Sequence, residues 1–149
     1  MRLLARPRAV LAALCFAVLA ACSSNPNPPV GRWEGVHEDS GLIVVTRLEI
    51  DAKGEIRVSA PNAMTDLSAM SEADRSSLRS RLISDLARSW PSVKRIALEF
   101  DGKAFRKPGG VAPQLEWDAK DQRMTMIFYS GNRASVRVPL DPVERFRDS

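Results

Sequence analysis

The sequence predicts a mainly β domain with one long helix, built as an antiparallel meander of about eight strands. Three observations predict it. Apolar residues alternate with period two from Gly31 onward, turn residues separate the runs every few residues, and a single i, i+4 stripe interrupts them after the third strand. A meander of that many strands gains by closing on itself, because closure removes exposed edges. The expected architecture is therefore a small barrel. An open curved sheet with the helix packed across its concave face is the alternative.

The elements follow in order. Gly31 to His37 reads as a first strand around Trp33. Val44, Thr46, Leu48 and Ile50 share one face of the next strand, Leu42 to Ile50. Asp51-Ala52-Lys53-Gly54 reads as a turn with Gly54 at positive φ, and Ile56 and Val58 point inward on the return strand. Pro61 to Met70 breaks the alternation. Ser71 and Asp74 form a capping box that starts a helix, and Pro91 ends it. Leu78, Leu82, Leu86 and Trp90 make its apolar stripe, with Ile83 beside them.

Strands resume with Ile96, Leu98 and Phe100, turn at Asp101-Gly102, and return through Lys103 to Arg106. Val111 to Trp117, Met124 to Tyr129 and Arg133 to Val138 complete the meander. Asp141, Pro142 and Glu144 read as the cap and first positions of a final helical turn, with Val143 and Phe146 inward. The expected core is Trp33, Leu48, Ile56, Leu82, Leu86, Trp90, Leu98, Phe100, Met126, Phe128 and Val136.

Residues 1–21 have a different character. Arg2, Arg6 and Arg8 precede an uncharged apolar run from Ala9 to Ala21 that ends in small residues. That is the pattern of a secretory signal. At ~1.5 Å per residue the run reaches ~20 Å as a helix, short of the ~30 Å of bilayer hydrocarbon. Leu19-Ala20-Ala21-Cys22 is similar to the lipobox of bacterial lipoproteins. The resemblance implies cleavage before Cys22, lipidation of its thiol and acylation of the new amine. It also implies, from Ser23 after the cysteine, an outer-membrane anchor facing the periplasm in a Gram-negative host. Ser23 to Val30, with Pro26, Pro28 and Pro29, is a tether that reaches ~25 Å at ~3.1 Å per residue. The expected organisation is a signal peptide at 1–21, a lipidated cysteine and tether at 22–30, and a single globular domain at 31–149.

Cleavage would remove three arginines and lower the net charge from +4 to +1. The precursor's basic balance therefore gives no ground for nucleic-acid binding. Cys15 would leave with the signal and Cys22 would carry lipid, so no disulfide is expected. With one histidine in the chain, a zinc ligand set is not expected either.

No convergent catalytic set appears. His37, Glu38, Asp39 and Ser40 are adjacent on a strand end, where neighbours point to opposite faces. Asp118 and Asp121 are turn formers. Lys107-Pro108-Gly109-Gly110 lacks the helix start that a phosphate loop needs. Arg75, Arg79, Arg81 and Arg88 are interspersed with Glu72, Asp74 and Asp85, as on a solvated, ion-paired helix face.

Gly31-Arg32-Trp33 resembles the opening motif of lipocalin-like barrels. That resemblance implies a Trp packed across the closed end against a basic side chain from the last strand, here Arg133 or Arg137. The expected function is a non-enzymatic, cofactor-free, membrane-anchored protein that binds an apolar or amphipathic ligand. The candidate lining is Ile56, Val58, Met124, Met126 and Phe128, since methionines line adaptable pockets. The alternative is an envelope assembly or accessory protein with a filled core and no small ligand.

Overall fold

In a computed structural model of the chain, residues 27–148 are described. The signal segment, Cys22 and the start of the tether lie outside them. The rest forms an antiparallel sheet curled into a half-barrel, with one helix.

The strands are β1 (Gly31–Glu38), β2 (Leu42–Ile50), β3 (Ile56–Ser59), β4 (Asn62–Met64), β5 (Arg95–Ile96), β6 (Glu99–Phe100), β7 (Ala104–Arg106), β8 (Pro113–Asp118), β9 (Arg123–Ser130) and β10 (Arg133–Pro142). Helix α1 (Glu72–Ser89) follows β4. The sheet runs β5-β3-β2-β1-β10-β9-β8-β7-β6, and β4 pairs beside the start of β2. First and last long strands meet at the β1–β10 seam, Trp33 opposite Pro142 and Glu34 opposite Asp141.

Barrel and open sheet, the two expectations, meet in this half-barrel. Its two ends, β5 and β6, are not paired with each other. Only Ala97 and Leu98 separate them in the chain. Three Cα steps span at most about 11 Å, so the free edges face each other across a short covalent link. The linking residues run from one edge to the other and cannot also supply a ladder along it.

Turns form where their residues require. Gly54 has φ 77° and its N–H donates to the Asp51 carbonyl at 2.9 Å. Asp101 accepts from the N–H groups of Lys103 and Ala104 at 2.9 and 2.8 Å, closing the β6–β7 hairpin. Gly35 has another reason to be glycine: a Cβ there would lie 2.2 Å from the Pro139 carbonyl oxygen, so β1 and β10 approach more closely than a side chain permits.

Alternation gives β2 two buried faces. Val44, Leu48 and Ile50 join Trp33, Ile56, Phe105, Leu115, Met124, Val138 and Leu140 inside the curl. Ile43 and Val45 face the other way, onto Leu82, Leu86 and Trp90 of the helix and its terminal turn. The helix therefore covers the outer face at β1 and β2. The expected packing across the concave face does not occur, because the strands' own side chains fill that face.

The helix begins as its sequence predicts. The Asp74 N–H donates to Ser71 Oγ at 3.1 Å, and Ser71 Oγ donates to Asp74 Oδ2 at 2.6 Å. Trp90–Ser92 continues it as a 3₁₀ turn through Pro91. Three of its four expected arginines are ion-paired: Arg75 with Glu72 at 2.8 Å, Arg88 with Asp85 at 2.9 Å, and Arg79 with Glu38 of β1 at 2.5 Å.

The final helical turn is not formed. Asp141 and Pro142 belong to β10, where pairing with β1 continues the strand. The Asp141 carboxylate meets Arg123 Nε at 2.7 Å instead of capping a helix. Val143 then donates its N–H to the Arg32 carbonyl at 2.9 Å, and Phe146 folds back over the outer face.

Candidate functional site

The inner face of the half-barrel changes character along its length. Gly31 opposes Ile50, Ile50 opposes Ile56, and Leu140 opposes Met124, which places these residues at the end where the tether enters. Here the core is closed. Trp33 and Trp117 meet edge-to-face at 5.9 Å, and Trp33 Nε1 donates to the Gln122 carbonyl at 3.1 Å.

At the far end, Leu42, Val58, Ala60, Met126, Phe128 and Val136 pack against the same core but are only half-buried. Phe128 opposes Val136, and Leu48 opposes Val58. Between the two ends Thr46 is fully buried, and its Oγ1 has no hydrogen-bond partner among the described residues. A buried hydroxyl without a partner costs about 1–3 kcal/mol.

The five expected ligand-lining residues divide across this gradient. All share the inner face, because β3 and β9 alternate in phase with β2. Ile56 and Met124 are fully buried core. Val58, Met126 and Phe128 reach the half-open end. Leu98, Phe100 and Val136, expected in the core, are half-buried too. Thr46 was legible as one of the inward row of β2, but nothing in the sequence marks its hydroxyl as unpaired.

Cavities lie elsewhere. One of about 460 Å³ sits at the closed end beside Pro29, Trp33 and Trp117. One of about 640 Å³ lies by Pro28, Leu98, Phe100 and Phe105, near the link between the free edges. A third, of about 220 Å³, is on the outer face. None is lined by the five candidate residues.

Other candidates resolve locally. Trp33 meets Trp117, and not the basic side chain from the last strand that the lipocalin-like motif implies. Arg137 pairs with Glu116, and the guanidinium–ring contacts among the described residues fall on Phe146 and Trp90. His37 Nε2 lies 3.2 Å from Asp39 Oδ2. Asp39 also accepts the N–H groups of Gly41 and Leu42 at 2.8 and 2.9 Å, and the Gly41 bond, followed by His37, lowers its pKa. That makes Asp39 a turn former. Lys107 to Gly110 forms a loop between β7 and β8, with the Gly110 N–H donating to the Lys107 carbonyl at 2.8 Å. Among the described residues, no three His, Cys, Asp or Glu side chains are grouped to hold a metal ion.

Comparisons with protein-family models, curated proteins and solved structures gave no match. The geometry of the chain itself carries the functional reading.

Proposed function

We propose that the chain is a non-enzymatic, lipid-anchored protein of the bacterial envelope that binds an apolar or amphipathic ligand at the open end of its half-barrel. The anchor is Cys22, in the outer membrane, with the domain facing the periplasm. The observation that carries the binding reading is the graded inner face. Its side chains are buried in the core beside the tether and only half-buried at Leu42, Val58, Met126, Phe128 and Val136, with the unpaired Thr46 hydroxyl beneath. An acyl or other apolar group covers the half-exposed side chains.

Native mass spectrometry of the protein after gentle extraction tests this reading. A co-purifying ligand is expected, and Phe128→Arg should release it. Absence of any bound species in the unsubstituted protein would overturn the ligand. Labelling with palmitate tests the anchor separately: Cys22→Ala should abolish it, and unchanged labelling would refute the lipobox reading.

The second reading is an envelope assembly or accessory protein. It is favoured by the fully buried Ile56, Phe105, Leu115 and Met124 and by the unpaired edges of β5 and β6. Crosslinking from residues 95–100 to an envelope protein, with no ligand in the mass spectrum, would select it.

A further inference from the structure

The outer face of the sheet carries a feature that the ligand reading does not use. Glu34 on β1 and Arg47 on β2 are cross-strand partners, and Arg47 Nε donates to Glu34 Oε1 at 3.0 Å. Their side chains are only 9% and 3% exposed. Burying two charges is costly and is repaid only when every remaining donor and acceptor is matched. Here the matching is incomplete. Glu34 Oε2 and Arg47 Nη2 are both buried without a hydrogen-bond partner.

The C-terminal segment covers this pair. The Phe146 ring lies 5.0 Å from the Arg47 guanidinium carbon, and the Arg147 N–H donates to Glu34 Oε1 at 2.9 Å. The Arg147 side chain is mostly exposed, and its Nε is 3.5 Å from Glu34 Oε2. It is placed to give way to an incoming group.

Beside the pair is the cavity of about 220 Å³. Its charged walls are Glu34, Arg47, Asp141 and Arg147, two acids and two bases. A net anion meets Arg47 but is repelled by two carboxylates, and a net cation meets the converse. Val36, Val45 and Ile83 supply an apolar wall. The volume lies below the roughly 300–1,000 Å³ of a drug-sized pocket.

We propose that this cavity binds a neutral amide carried by a short apolar peptide. As Arg147 and Phe146 swing aside, the amide carbonyl accepts from Arg47 Nη2 and the amide N–H donates to Glu34 Oε2, while a small apolar side chain lies against Val36, Val45 and Ile83. One ligand group thus completes both halves of the buried pair. The site is on the face opposite the half-open end, so it stands independently of the ligand proposed there.

The test is a titration of the full-length, nitrogen-labelled protein in detergent micelles with N-acetyl-valinamide, following the Arg47 Nε–H resonance by NMR. A saturable shift is expected, with none from sodium acetate. Ile83→Trp, which fills the cavity, should weaken the interaction by about tenfold or more. No saturable shift up to the solubility limit of the amide would overturn the proposal. An equal shift with acetate would also overturn it, by showing an anion site. The titration of the unsubstituted protein decides the matter even if Ile83→Trp fails to fold.

Discussion

Trp33 and Trp117 touch edge-to-face at 5.9 Å across the inside of the curl, although β10 and β9 lie between their strands in the sheet. This contact closes the tether end of the half-barrel. Trp33→Ala should cost ~3–5 kcal/mol of stability, as expected for removing a large buried aromatic. Urea denaturation measures it, and a loss below about 1 kcal/mol would show that the closed end is not cooperative with the rest.

Leu86 is fully buried between α1 and the outer face of β2. Leu86→Ala should cost ~2–5 kcal/mol. The neighbouring Arg88→Ala, at an exposed ion pair with Asp85, should cost under about 1 kcal/mol. Similar losses at the two positions in thermal or chemical unfolding would contradict helix docking.

The Glu34–Arg47 pair predicts an asymmetry between single and double replacement. Arg47→Met leaves the Glu34 carboxylate buried without its partner and should cost ~3–5 kcal/mol. Glu34→Leu combined with Arg47→Met removes both charges and should recover most of that loss. A double-mutant cycle on unfolding free energies reads the coupling, and additive losses would show the pair to be uncoupled.

Asp101 predicts a pH dependence. The N–H groups of Lys103 and Ala104, and then Arg106, hold its carboxyl at about 2. An unfolded aspartate titrates near ~3.9. Because the folded value is the lower, the stabilisation is fully present above ~3.9 and is lost as pH falls towards about 2. Asp101→Asn should flatten this part of the stability profile in denaturation series between those values. An unchanged slope would show that the turn does not hold the carboxylate.

Much of the fold was legible because its local signals agreed. Period-two runs in β2, β9 and β10, the Gly54 and Asp101 turns, and the Ser71 cap each depend on residues close in sequence. The helix stripe was also legible, since Leu82, Leu86 and Trp90 must be buried somewhere. The Asp141-Pro142-Glu144 signature misled for a physical reason: pairing with β1, more than a hundred residues earlier, outweighs a local cap preference.

The candidate sites divide along the same line. Alternation by itself determined that Ile56, Val58, Met124, Met126 and Phe128 share one face. Only the curl decided that Ile56 and Met124 are sealed in the core while Val58, Met126 and Phe128 lie at the half-open end. Pattern likewise determined an apolar helix stripe but not the face of the sheet that receives it. β2 is apolar on both faces in alternation, with Ile43 and Val45 opposed to Val44 and Leu48, and the strands that meet inside the curl leave its outer face for the helix. The buried Glu34–Arg47 pair was not legible, because two charges 13 residues apart become neighbours only through the β1–β2 register and become buried only when Phe146 folds over them.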